Sequence, residues 1–164
     1  MGRAGIEGDE IGSAIIGARL VRDGIRLSFL MEKHYPPYAK WLGTAFHKLE
    51  SAPYLEPAFL DALQASSWQE RERHLCTAYE VLASLHNKLN LTPPLPERVS
   101  RFWGRPFFVI KGETFATALI REIEDPVIRA MNLRSPIGSI DLFSDNTDLL
   151  EDTRFRRGIR RLFE

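Results

Sequence analysis

The sequence predicts an all-α fold: a helical bundle of about five to seven helices with a small irregular annex and at most one short strand or hairpin. Three observations carry this. Long segments near 9–33 and 68–89 repeat apolar residues at helical spacing. Proline-rich breaks punctuate them, and a single four-residue segment, Phe107 to Ile110, is the only plausible strand.

The first helix runs from Asp9 to about Lys33, with one apolar stripe of Ile11, Ile15, Ala18, Ile25 and Phe29 and another of Ile16, Leu20, Leu27 and Met31. Pro36 and Pro37 end it, because neither donates a backbone hydrogen bond and each pushes its predecessor out of helical geometry. A second helix follows over Tyr38 to Leu49, with Tyr38, Leu42, Ala45, Phe46 and Leu49 as its packing stripe. Gly43 within it marks a close helix–helix approach, since glycine costs up to about 1 kcal/mol there relative to alanine.

Leu55 to Ala65 reads as a short third helix. Ser67 N-caps a fourth from Trp68 to about Leu89, whose inner seam is Leu75, Tyr79, Leu82, Leu85 and Leu89. After "NLTPPLPERV" comes the lone strand, closed by Gly112, then a helix over Thr114 to Glu124 and a short one begun by Asp125-Pro126 and running to about Met131. An irregular loop and a last helix complete the chain.

At 164 residues and 44% hydrophobic content the chain can bury one sizeable core, so a single domain spans 1–164. Within it residues 1–8 are expected to be flexible, 9–90 to form the core bundle, and 91–164 the annex and C-terminal helices. The 22 basic residues balance the 22 acidic ones, so no global field draws nucleic acid or an anionic membrane. Cys76 is the single cysteine, which excludes an internal disulfide and points to a reducing, cytoplasmic location. No run approaches the roughly 18–20 apolar residues of a membrane span.

On the first helix Arg19, Arg22, Arg26 and Lys33 form a basic line between the apolar stripes, with Asp23 placed to pair with Arg19 four residues before it. The same spacing fits a solvated face. The flanking apolar residues favour instead a groove in which guanidiniums meet carboxylate or phosphate. In "YPPYAKWLGTAF", Tyr38 and Trp41 offer flat faces for stacking and Lys40 a contact for an anion, although aromatics at helical spacing also serve as core. His86-Asn87 could form an acid–base or hydrogen-bonding pair, but His86 lies on the inner seam, where a satisfied core histidine is the ordinary state.

His74 and Cys76 share no zinc-binding frame with their neighbours. The acidic run Asp141, Asp145, Asn146, Asp148 and Asp152 lacks the alternate ligands, central glycine and closing glutamate of a calcium loop. "RFRRGIRRLFE" reads as a terminal helix docked by Phe155, Ile159 and Leu162 with its arginines solvated or paired. No nucleophile elbow, phosphate loop or dinucleotide motif occurs.

"GDEIGSAIIGARLVRDGIRLSFLMEKHYPPYAKWLGTAF", with "LHNKL" and "DLFSDNTDLL" later, resembles a bacterial helical domain of unknown function found C-terminal to polymerase-β-like nucleotidyltransferase domains. The resemblance spans roughly residues 8 to 150, and its most specific part is Arg22-Asp23, Arg26 and "YPPYAKWLGTAF". Gly24 stands where a large apolar residue is usual, which should loosen the first helix. The resemblance implies a domain that helps hold a substrate for a catalytic neighbour.

That catalytic half needs Gly-Ser followed by two carboxylates alternating on one strand so that both face the metal ions. Gly12-Ser13 has no such successor, and Gly138-Ser139 is followed by Asp141 and Asp145, which do not alternate. The start "MGRAGIEGDE" resembles an entry partway through the family's chain, so the catalytic domain is expected to be missing or supplied by another polypeptide.

The expectation is therefore a non-catalytic substrate-binding, nucleotide-binding or docking domain, with Arg22, Arg26, Tyr38, Lys40 and Trp41 as ligand contacts and His86 and Asn87 in support. No cofactor belongs to this chain; magnesium and a nucleoside triphosphate enter only with a catalytic domain. The partners expected are such a domain and a small-molecule or nucleotide ligand, not nucleic acid or a membrane. The alternative is a structural protein that forms a homodimer through the apolar face left by the missing domain.

Overall fold

The computed structural model describes residues 1–131. Among them are seven helices and one two-stranded antiparallel hairpin, so the fold is all-α with a small annex: α1 (Gly2–Ile6), α2 (Glu10–Met31), α3 (Ala39–Phe46), α4 (Ala52–Gln64), α5 (Trp68–Lys88), β1 (Ser100–Arg101), β2 (Phe108–Val109), α6 (Gly112–Arg121) and α7 (Pro126–Met131). None of the described helices is long and apolar enough to cross a membrane. The chain divides into two compact units, Met1–Ala116 and Thr117–Glu164. The hairpin and the start of α6 thus belong with the bundle, which extends past the boundary expected at residue 90.

In the first unit α2, α4 and α5 pack on one another around Val21, Phe29, Phe46, Leu55, Phe59, Leu75, Ala78 and Leu82. Residues 1–8, expected to be flexible, instead contain α1, which packs on α2 and α5 with Gly2 and Gly5 buried.

Asp9, expected as the first residue of the helix, instead caps α2 by accepting from the Gly12 N–H at 2.8 Å. The inward face of the helix differs from the one expected. Ser13, Gly17, Val21, Gly24 and Ser28 are buried, whereas Ile11 and Ile15 are 78% and 67% exposed and Ile16 and Leu27 are exposed as well. Small residues win this face because they let the neighbouring helices come close.

Gly24 therefore does not loosen the helix. A Cβ there would lie 2.7 Å from Cζ of Phe59, so the ring fills the space that a larger residue would take. Gly17 makes room in the same way for the Arg71 side chain. Gly43 is the opposite case. Nothing lies within 4 Å of its would-be Cβ, and the close approach predicted there is not made.

Arg71 is buried at 4% exposure and binds α2 to α5. Its Nη1 donates to Ser13 Oγ at 2.9 Å and to Glu10 Oε2 at 3.4 Å, and its Nη2 donates to the Ala65 carbonyl at 2.9 Å. Glu10 Oε1 also accepts the Trp68 N–H at 3.0 Å, so one carboxylate serves the first turn of α5 and its arginine.

After α2 the chain reverses at Lys33, whose backbone is left-handed at φ 59°, and continues through the two prolines to Tyr38. Glu32 fixes the far side of this corner. Its Oε2 accepts the Glu50 N–H at 2.8 Å, and its Oε1 accepts the Ser51 N–H at 3.0 Å and the Ser51 hydroxyl at 2.5 Å, just before α4 begins.

Ser67 caps α5 by accepting the Glu70 N–H at 3.3 Å. Of the predicted inner seam Leu75 and Leu82 are buried and Tyr79 and Leu85 partly so, with Ala78, Ala83 and His86 completing it. In the hairpin Ser100 pairs with Val109 and Arg101 with Phe108, which supplies the partner that the lone predicted strand lacked.

The described part of the second unit holds α7, where Asp125 Oδ1 accepts the N–H groups of Val127 and Ile128 at 2.8 and 3.1 Å. The acidic run from Asp141 to Asp152 and the arginine-rich terminal segment lie outside the described residues.

Candidate functional site

The corner between α2 and α3 presents Tyr35, Tyr38, Lys40 and Trp41 to solvent. The reason is the register of α3. Phe46 is its one buried residue and packs at 6.0 Å, centroid to centroid, on Phe59, while Leu42 and Ala45 are only partly covered. Trp41 is about half exposed and so does not extend the packing stripe. Lys40 Nζ lies 5.1 Å from the centroid of the Trp41 ring, close enough for a cation–π contact. The pair offers an ammonium beside a flat apolar face, a combination suited to an aromatic anion.

Arg22 and Arg26 lie on α2 and are partly buried, and neither is without a partner. Asp23 meets Arg22 at 3.5 Å, not Arg19 as the i,i+4 spacing predicted. Since α3 packs only lightly on α2, the helix carrying Lys40 and Trp41 is not pressed onto the one carrying the arginines.

His86 and Asn87 serve a different region. His86 is buried, with Nε2 3.0 Å from Thr92 Oγ1 and its ring edge-on to Phe115 at 5.1 Å. Asn87 donates to the Leu95 carbonyl and Glu97 Oε1 at 2.9 and 2.8 Å and accepts the Leu95 N–H at 2.9 Å. Together they fold the proline-rich loop back onto the end of α5.

A second concave feature was not foreseen. A cleft of about 960 Å³ opens between α1, α2 and α5 on one side and the hairpin and first residues of α6 on the other. Glu72, Cys76 and Tyr79 line it from one face of α5, and Phe102, Trp103, Phe107 and Phe108 from the hairpin. Burial raises the Glu72 carboxyl above its ordinary range, partly offset by the Phe108 N–H that it accepts at 3.0 Å. Burial and, after it, the charges of Glu72 and Glu80 push the Cys76 thiol up to about 12, which makes it a poor nucleophile at neutral pH. Burial likewise raises the Tyr79 phenol. The available signal was the i, i+4, i+7 spacing of Glu72, Cys76 and Tyr79 together with the aromatic density of "RFWGRPFF".

Compared with known proteins, residues 1–42 match the family model described as "Domain of unknown function (DUF4037)". The matched stretch contains α1, α2 and the start of α3 as far as Trp41 and Leu42, about a quarter of the chain. No curated protein and no solved structure gives a significant match.

Proposed function

We propose that this chain is a non-catalytic docking and substrate-holding domain that works with a nucleotidyltransferase-type catalytic domain carried elsewhere. One observation carries the reading. α2 turns its small residues inward and leaves Ile11 and Ile15 at 78% and 67% exposure, one turn from the exposed Arg19. An exposed apolar pair with a guanidinium beside it suits a protein surface with apolar and acidic groups better than it suits water. In this reading the corner of Tyr38, Lys40 and Trp41 holds an aromatic phosphate or carboxylate, while magnesium and a nucleoside triphosphate belong to the catalytic partner.

The same face supports a second reading, in which a further copy of this chain covers it. Co-expression with a polymerase-β-like nucleotidyltransferase polypeptide, followed by light scattering on a sizing column, separates the two. A complex lost in Ile11→Glu/Ile15→Glu, with unchanged melting of the variant alone, is the expected result. A homodimer dissolved by the same substitutions would establish the second reading instead. A chain that remains monomeric beside the catalytic polypeptide would overturn both.

A further inference from the structure

We infer that the cleft between α5 and the hairpin is a binding site for a small organic anion with a flat apolar body and a hydrogen-bond donor at the end away from its charge. The inference is independent of the docking face and the α2–α3 corner, since none of Tyr38, Lys40 and Trp41 lines this cleft. Its volume of about 960 Å³ sits at the upper end of the roughly 300–1,000 Å³ usual for small-molecule sites.

The walls provide the apolar part of the complement. Ile16, Leu20 and Leu75 line the cleft together with the aromatic rings of the hairpin, where Phe102 and Phe107 stack at 5.5 Å and 15°. Glu72 provides the acceptor. It is 91% buried, being 9% exposed, and Phe108 N–H is the one hydrogen bond it receives from the described residues. Its other oxygen is not sealed from solvent, so a ligand N–H or O–H entering the cleft can reach it.

The rim provides the opposite charge. Arg3, Arg101 and Lys111 all line the cleft, and none forms an ion pair among the described residues. Glu113 is the single acid beside them at the rim, so cations prevail there. Arg101 lies over the Phe108 ring at 5.9 Å, which orients its planar donors beside the aromatic wall.

The hairpin tip adds a separate observation. Trp103 is 84% exposed and sits in left-handed backbone at φ 44°, followed by Gly104 at φ 75°. A bulky residue rarely adopts that conformation, and here it contributes nothing to the core. It places a large flat ring at the mouth of the cleft, where a ligand can stack.

The probe is 8-anilino-1-naphthalenesulfonate, which joins a fused aromatic body, an N–H donor and a sulfonate. Cys76 lines the cleft and is the only cysteine, so its modification by N-ethylmaleimide, slow with the thiol raised and therefore followed at pH 9, reports occupancy by its relative rate. The full chain should bind one equivalent and lose at least fivefold in the Cys76 labelling rate at saturation. Arg101→Ala/Lys111→Ala should weaken binding about tenfold, and Trp103→Ala, at an exposed position, at least threefold with an unchanged melting curve. Absence of saturable binding overturns the inference. So does binding that leaves Cys76 labelling and both variants' affinities unchanged, since the dye would then sit on the exposed α2 face.

Discussion

Lys40 and Trp41 show how much one turn of helix decides. They are sequence neighbours at the start of α3, and the inward pull of Phe46 rotates both toward solvent. An ammonium 5.1 Å from an indole centroid keeps one face of the ring occupied, and Trp41 as a whole is about half exposed. If the corner holds an aromatic phosphate, titrating nucleoside triphosphates calorimetrically into wild type should give a saturable heat that Lys40→Ala/Trp41→Ala weakens at least tenfold. A tenfold loss corresponds to about 1.4 kcal/mol, within reach of one stacking contact and one charge. Equal heats for wild type and variant, or none from either, would remove the corner from the ligand site. His86 is the contrasting residue. Its place on the α5 seam pointed to a satisfied core histidine, and its partners Thr92 and Phe115 are those of one.

At the scale of elements, helix existence was readable and helix orientation was not. The caps Ser67 and Asp125 act where their side chains and spacing placed them. The inward face of α2 was misread because isoleucines outweigh glycines and serines in any hydrophobic pattern. Close approach to Phe59 and Arg71 is a property of the neighbours, and it does not appear in the helix's own periodicity.

Glu32 was invisible for a related reason. Its three donors, the Glu50 and Ser51 N–H groups and the Ser51 hydroxyl, lie eighteen or more residues away. Burial alone would raise its carboxyl, but the hydrogen bonds from Ser51 and Glu50 outweigh that and hold it below the usual carboxylate range. A depressed folded value means that the stabilisation is present above the unfolded value near 4.5 and is lost as pH falls through the folded one. Glu32→Gln should therefore cost about 1.5–3 kcal/mol at pH 7, the range for hydrogen bonds to a charged group. The gap from wild type in urea unfolding should narrow from pH 6 to pH 3. A gap that stays constant over that range would show that the charge does not matter.

At the scale of the molecule, the all-α class and the break after α5 follow from proline placement and helical periodicity, whereas the cleft comes from the return of the hairpin against α5. No local pattern announces such a return, because it depends on Glu72 of α5 accepting Phe108 N–H across 36 residues. This unequal packing makes a prediction about opening.

The mutual contacts of α2, α4 and α5, fastened at one end by the Arg71 cluster, form the most cooperative part of the first unit. Their central amides should exchange with solvent only on global unfolding. α3 has one buried residue and packs lightly on every other described element, so its amides should exchange by local opening, at least a hundredfold faster than those of α5. A nucleoside triphosphate held at Lys40 and Trp41 should slow α3 selectively, because a ligand that binds only the closed corner opposes its opening by mass action. Hydrogen exchange followed by mass spectrometry, with and without the nucleotide, measures both effects. Protection of α3 equal to that of α5 in the free protein would contradict the local opening. Uniform slowing of all helices would show that the nucleotide acts on global stability and not at the corner.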